Sequence, residues 1–371
     1  MRVWLGIAGL LAACGPSLGA QRVWRSSLYP YAYYRTADGF WVAAHYSRYS
    51  PIGFIEGPEV NAASVNFDAG ASTQGSYRVV ADAQVPALWA GWRLLVTLSA
   101  SRDNRLGFYG LGNDTPNTAD SVTADAPHFY QMSRTHPTAR VTVQRRLVGP
   151  LRVLAGLGIT RTEFRALSGR SVFSQDSAFI PFTDRAVRAG LVLDTRDNEI
   201  APHSGLMVEA LVATGPGYTR TTGSARVFVH PHKRLVFAAR LAGEGTGGSP
   251  PLATQLEMES SERPFLAVGG YYSLRGYRDA RFVGPGKLLG GLEMRYAPVW
   301  APSVVELQIL GFFDAGRVFG PGEGFRVTTQ GLHQSGGAEV AVRLQRNTLV
   351  IVGAGAGSEG ARMVFGTRWS Y

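Results

Sequence analysis

The sequence predicts an all-β protein, a transmembrane antiparallel β-barrel of about 16 strands. Three observations predict it. Apolar and polar residues alternate with period two in segments of about ten residues. The connections are short at one end of the strands and long at the other, the asymmetry of periplasmic turns and extracellular loops. No apolar run long enough for a spanning helix follows residue 20, which excludes a helical membrane protein. Composition agrees: 46 glycines, 15 tyrosines, 18 phenylalanines and 7 tryptophans suit many short strands and turns. A mean hydropathy of −0.02 accompanies 45% hydrophobic residues.

Residues 1–20 read as an export signal. Arg2 supplies the positive start, Leu5 to Ala13 a short apolar run, and Leu18-Gly19-Ala20 a small-residue cleavage site before Gln21. The alternative is lipidation at Cys14, where Leu11-Ala12-Ala13-Cys14 resembles a lipobox. If Cys14 leaves with the signal, no cysteine remains, and neither disulfide nor cysteine-bound metal is expected. Residues 21–28 then form a short periplasmic segment and 29–371 the barrel domain.

Strands are expected in order at 29–36, 39–48, 60–71, 75–86, 90–102, 128–147, 151–165, 184–197, 204–214, 222–230, 233–245, 286–297, 304–318, 336–346, 348–357 and 361–371. The long connections 103–127, 166–183, 246–285 and 319–335 all follow odd-numbered strands. Even-numbered strands end in tight turns such as Val148-Gly149-Pro150 and Gln345-Arg346-Asn347. The first strand is short and contains Pro30, tolerable at an edge.

Parity assigns the faces. In "VELQILGFFDAGRVF" (305–319), Val305, Leu307, Ile309, Phe313 and Phe319 share one side, while Glu306, Gln308, Asp314 and Gly316 share the other. In a barrel the apolar side meets lipid and the polar side lines the lumen. The same rule sends Arg140, Arg146, Arg152, Arg188, Arg196, Arg234, Arg240, Arg295, Arg343, Arg362 and Arg368 inward, with Asp194, Glu293, Glu306, Asp314 and Glu339. The net charge of +10 is carried by arginine, since Lys233 and Lys287 are the only lysines. A charge facing the lumen needs water or a partner, because desolvating it is costly. Either the lumen is wet, or a loop descends into it. Export argues against nucleic acid as the basic chain's partner and points to a pore interior or anionic lipid.

The segment "YYSLRGYRDARF" (271–282) is unlike a solvated loop, with Tyr271, Tyr272, Tyr277 and Phe282 set among three arginines. Its Leu274-Arg275-Gly276-Tyr277 precedes Glu293-Met294-Arg295-Tyr296 and Phe312-Phe313-Asp314-Ala315-Gly316. With "LDTRDNEIAPHSG" (193–205) and "FYGLGND" (108–114), these resemble the outer-membrane assembly and secretion barrels typified by BamA, TamA and the two-partner-secretion transporters. The resemblance covers essentially the whole chain after the signal. It implies that loop 246–285 folds back inside the barrel before the twelfth strand, where Arg275 pairs with Asp314. Phe312, Gly316, Glu293 and Arg295 are then the lumen partners. The chemistry of the side chains suits such a pair: arginine stays charged and its planar fork fits a carboxylate. Gly276 lets the backbone pass close to the wall, and Tyr277 adds apolar area with a polar tip.

At the other end, Met363, Phe365, Thr367, Trp369 and Tyr371 alternate and are expected on the lipid face. Gly366, Trp369 and Tyr371 look like the C-terminal insertion signal read by the outer-membrane assembly machinery, and the two aromatics suit an interfacial girdle. Residues 21–28 stand where relatives carry periplasmic polypeptide-binding domains, so a barrel-only member is expected.

Other motifs fail their context. Gly15-Pro16-Ser17-Leu18-Gly19 lies in the signal, and Gly355-Ala356-Gly357-Ser358-Glu359-Gly360 precedes a strand, not a helix. His230-Pro231-His232 lacks a third ligand. No enzyme, metal or cofactor is expected. The expected function is insertion or translocation of surface proteins at the seam between first and last strands. Its partners would be client polypeptides, outer-membrane lipid or lipopolysaccharide, and the assembly machinery. The alternative is a passive porin-like channel with anion preference, or a structural barrel; fold alone does not decide.

Overall fold

Alternation with period two builds a wall of strands whose two faces differ in chemistry. The computed structural model describes residues 23–371 apart from 36–37, 53–57, 87–89, 176–180, 302–304 and 345–347. The expected export signal and the Gln345-Arg346-Asn347 turn lie outside the described residues.

The first part of the wall is β1 (Arg25–Arg35), β2 (Gly39–Pro51), β3 (Asn61–Ser72), β4 (Tyr77–Val85), β5 (Trp92–Gly107), β6 (Gln131–Thr135), β7 (Thr138–Val148), β8 (Leu151–Ala166) and β9 (Phe182–Asp194). It continues through β10 (Gly205–Gly215), β11 (Tyr218–His232) and β12 (Leu235–Gly248). After a long loop follow β15 (Gly286–Ala301), β16 (Val305–Phe319), β17 (His333–Leu344), β18 (Thr348–Gly357) and β19 (Gly360–Gly366). The loop itself holds a short helix α1 (Leu252–Leu256) and a two-stranded hairpin, β13 (Glu257–Met258) with β14 (Phe265–Leu266). Wall strands pair antiparallel with their sequence neighbours.

The wall sheet has 17 strands, of which β6 and β7 share one position, each pairing with both β5 and β8. The strand expected at 128–147 is therefore broken at His136-Pro137. Proline lacks the N–H that a central ladder needs, and the carbonyl of Pro137 instead accepts from the Arg161 N–H at 3.1 Å. The all-β antiparallel barrel with sixteen wall positions agrees with the sequence. Its first strand starts earlier than expected, since Arg25 already pairs with Tyr49 of β2.

Faces follow parity along β16. Ile309 and Phe313 are 51% and 45% exposed on the outside, whereas Glu306, Gln308 and Asp314 are buried inside. Exposed Leu28, Val42, Leu157, Leu191, Leu241, Leu292 and Met363 make the outer face apolar. Arg146, Arg234 and Arg368, expected inside, are exposed near strand ends.

The two ends of the sheet meet between β1 and β19. Tyr33 and Phe365 stack there with ring centroids 4.7 Å apart. Among the described residues no backbone ladder joins the two strands.

The last strand also departs from expectation. β19 stops at Gly366, and Trp369 and Tyr371 are only 7% and 6% exposed, so they do not alternate on the outer face with Met363. The physical reason is a better home for amphipathic rings inside. Arg295 lies 3.9 Å over Trp369, and Arg240 lies 4.6 Å from the Tyr371 ring. Such pairs are favourable when desolvated.

Candidate functional site

The loop between β12 and β15 packs against the wall. Apolar side chains drive the packing: Met258, Ala267, Val268, Leu274, Tyr277 and Phe282 cluster with wall residues Ala242, Leu289 and Val318. Leu252, Leu256, Ala280 and Val283 form a second cluster with Leu106, Phe108 and Met132. The tip is closed on itself, because Val268 and Phe282 exchange both backbone hydrogen bonds, at 3.0 and 2.9 Å. Gly269 and Gly270 turn the chain with φ of +115° and +94°, values that favour glycine. The Gly270 N–H donates to the Leu274 carbonyl at 3.1 Å, placing Arg275 just past the turn.

Arg275 is 2% exposed and meets three carboxylates. Its Nε and Nη2 donate to Oδ2 and Oδ1 of Asp314 at 2.9 and 2.8 Å, a bidentate fork. The Arg275 backbone N–H adds a bond to Asp314 Oδ2 at 3.2 Å. Nη1 donates to Glu293 Oε1 at 2.7 Å and lies 3.5 Å from Glu339 Oε2. The guanidinium also stacks 3.7 Å from the Phe312 ring centroid. Glu293 is shared: Arg295 Nε donates to its Oε2 at 2.8 Å and Ser370 Oγ to its Oε1 at 2.8 Å. So Arg275, Asp314, Glu293, Arg295 and Phe312 lie together. A buried cation of this kind is tolerable only with such ligation.

Close approach explains the glycines. A Cβ on Gly276 would sit 2.5 Å from the Ala356 carbonyl carbon. One on Gly316 would sit 2.7 Å from Leu274 Cδ1, and one on Gly355 would sit 2.9 Å from the Arg275 carbonyl. Tyr277 then reaches the β18–β19 turn, where its hydroxyl lies 2.9 Å from Ser358 Oγ. Tyr271 packs onto Gly366, where a Cβ would fall 2.3 Å from the ring, and its hydroxyl donates to the Arg368 carbonyl at 2.6 Å. Arg240 Nη1 donates to the Ser370 carbonyl at 3.3 Å. The loop and residues 366–371 thus share one polar network.

The segment 108–114 locks the loop from the other side. Gly112 N–H donates to the Val283 carbonyl at 2.8 Å, and Asn113 Oδ1 accepts from the Val318 N–H at 3.1 Å. Arg281 lies between Tyr109 and Phe282, 4.4 and 4.5 Å from their centroids. At the opposite end, the 195–204 turn buries Ala201 beside Leu310, Phe312 and Trp369. Asp197 Oδ1 accepts from the His203 and Ser204 N–H groups at 2.9 and 3.1 Å, and His203 Nε2 lies 3.4 Å from Glu306. Burial alone would lower the His203 imidazole pKa; its hydrogen bonds to Asp197 and Glu306 outweigh that and raise it.

Sequence reasoning did not single out the acidic run of the loop. Arg134 Nη1 donates to Glu257 at 2.8 Å, and Glu262 accepts from Arg196 and Arg226 at 3.0 and 3.1 Å. Arg263 pairs with Asp82 of β4. Glu259 binds Arg140, Arg188 and Arg220. The signal was available: Glu257, Glu259 and Glu262 cluster within six residues of a loop that faces an arginine-rich wall. Of the arginines that parity sends inward, Arg140, Arg188 and Arg196 find carboxylates on the loop, whereas Arg152, Arg295 and Arg343 find theirs elsewhere.

The chain's likeness to known proteins agrees with this geometry. A BamA from Haemophilus ducreyi lacking POTRA domains 1–3 superposes with a TM-score of 0.55 at 13% identity, over 93% of this chain and 69% of that one. CdiB from Escherichia coli gives a TM-score of 0.61 at 11% identity, over 94% of this chain and 63% of that one. CdiB from Acinetobacter baumannii gives 0.52 at 12%, over 93% of this chain and 59% of that one. At these identities the likeness concerns the fold, and the chain spans less than two thirds of either CdiB. No curated protein matches the sequence. The Omp85 superfamily domain matches residues 63–357, so the chain belongs to the Omp85 superfamily.

Proposed function

We propose that this chain is an integral outer-membrane barrel that inserts polypeptide into the membrane, or passes it across, at the seam between β1 and β19. The observation that carries the reading is the seam itself. Tyr33 and Phe365 stack across it, yet no ladder joins the strands among the described residues. An unpaired edge is a template for another strand. The apolar outer face supports a lipid surround, with outer-membrane lipid or lipopolysaccharide against it.

In this reading the loop between β12 and β15 closes the lumen, latched by Arg275, Gly276 and Tyr277. Support comes from the burial of Arg275 against Asp314 and Glu293. The Tyr271 and Ser370 contacts link that latch to the end of β19, beside the seam. Gly366, Trp369 and Tyr371 would serve as an insertion signal before the barrel closes, while the aromatics are still free. Wall arginines ion-paired to loop glutamates weigh against a passive anion channel.

The test is quantitative proteomics of outer membranes from cells lacking the protein, complemented by wild type or by Arg275→Ala. Loss of a defined set of surface proteins, rescued by wild type alone, is expected. An unchanged outer membrane would sink the reading and leave conductance measurements to decide for a channel.

A further inference from the structure

Arg140 on β7, Arg188 on β9 and Arg220 on β11 project from three wall strands toward one point. Glu259 of the loop occupies it. Its Oε1 accepts from Arg140 Nη1 and Arg188 Nη1, both at 2.9 Å, and its Oε2 from Arg220 Nη2 at 2.6 Å. Arg188 Nη1 also donates to the Ser260 carbonyl at 3.0 Å. Glu259, Arg188 and Arg220 are all buried. Among the described residues, Glu259 is the only carboxylate ion-paired with Arg140 or with Arg188. Arg220 has one other, Glu244, at 3.8 Å, and Glu244 is already bound by Lys287. The wall thus gathers three guanidinium groups that repel one another, and sets against them Glu244, shared with Lys287, and Asp184, which is bound by the Tyr218 hydroxyl. Such a cluster is stable only when a carboxylate is brought to it.

We infer that Arg140, Arg188 and Arg220 form a carboxylate-binding site in the lumen wall. It holds the loop at a second point through Glu259, and once Glu259 leaves it takes a carboxylate from an extended acidic polypeptide. The class of ligand follows from what the site holds now. Glu257, Glu259 and Glu262 lie along one stretch of the loop, and wall arginines meet each of them. An acidic chain passing the same way meets the same cations in the same order. Backbone recognition accompanies the charge, as in the Arg188 bond to the Ser260 carbonyl. The binding of a passing chain rests on the translocation reading above, whereas the anchoring of the loop does not.

The test uses the purified full chain in planar bilayers, with Glu259→Ala and the volume-preserving Glu259→Gln, each shown to be folded by heat-modifiable gel mobility. Wild type is expected to stay mostly closed. Glu259→Ala should raise open probability on the order of a hundredfold, because removing one partner leaves buried charges uncompensated. The open state should prefer anions, and poly-L-glutamate should block it while poly-L-lysine does not. Adding Arg140→Gln and Arg188→Gln should remove the block. A Glu259→Ala barrel as closed as wild type would overturn the second anchor. An open barrel blocked equally by both polymers, or blocked without the arginines, would overturn the binding site. Because no client protein enters this measurement, its failure leaves the seam reading standing, and an unchanged outer-membrane proteome removes the passing chain but leaves the Glu259 anchor standing.

Discussion

Two ends of one loop are tied to two arcs of the wall with opposite signs. At its tip, Arg275 brings a single cation to Asp314, Glu293 and Glu339 on β16, β15 and β17. Nearer its start, Glu259 brings a single carboxylate to Arg140, Arg188 and Arg220. The tip contact is shaped as well as charged. It is bidentate, backed by the Phe312 ring, and reached through glycines that leave no room for a Cβ. The Glu259 contact has charge convergence without that shape, and Nε of Arg188 and of Arg220 have no hydrogen-bond partner among the described residues. Shape demands particular residue types at particular spacings; charge convergence accepts any carboxylate within reach.

The largest effect should come from Asp314→Ala. It strips the bidentate partner from a buried guanidinium, which costs roughly 3–5 kcal/mol. Equilibrium unfolding in urea and protease cleavage within the loop would both report it, and an unshifted midpoint would break the claim that the tip anchor dominates. Arg275→Lys comes next. A lysine keeps the charge yet replaces the fork by a single point, so a loss of about 1–3 kcal/mol is expected. If lysine behaved as wild type, geometry would not matter at this end.

Gly276→Val tests the close approach. Its Cβ would fall 2.5 Å from the Ala356 carbonyl carbon, and overpacking of this kind costs about 1–3 kcal/mol. Loop cleavage should rise while the wall stays folded. Arg140→Gln should do less, under about 1 kcal/mol, because this arginine is 18% exposed and its loss relieves repulsion with Arg188 and Arg220. A large loss would show that the three arginines are not redundant.

The smallest effect lies outside both anchors, in the 195–204 turn. The raised His203 pKa means its protonated form is favoured by folding. That stabilisation is fully present below the ordinary imidazole value of 6.5 and is lost as pH rises through the folded value. Thermal unfolding from pH 5 to 8 should therefore converge for wild type and His203→Asn at the alkaline end. Curves that diverge there would reverse the sign.

How much of this was legible differs between the two anchors. Leu274-Arg275-Gly276-Tyr277 and the Asp314 segment carry motif identity, and parity independently turns Asp314 inward, so the tip could be read residue by residue. Glu259 belongs to no motif. Its importance depends on Arg140, Arg188 and Arg220, which lie far from it in the chain and far from one another. The Trp369 and Tyr371 positions were misread for a related reason. Alternation ended at Gly366, where Tyr271 of the loop meets β19, and nothing within residues 361–371 announces that contact.

By itself the sequence determined most of the strands and, away from their ends, the faces of their side chains, because side-chain direction in an extended chain depends only on parity. It also determined that a cation at Arg275 would need an acid, since arginine does not lose its proton. Which carboxylates meet which arginines, where β19 leaves the wall, and that Trp369, Ser370 and Tyr371 turn inward were decided by the tertiary structure. Those outcomes depend on distances between segments remote in sequence, and a buried charge settles on whichever partner the closed barrel brings within reach.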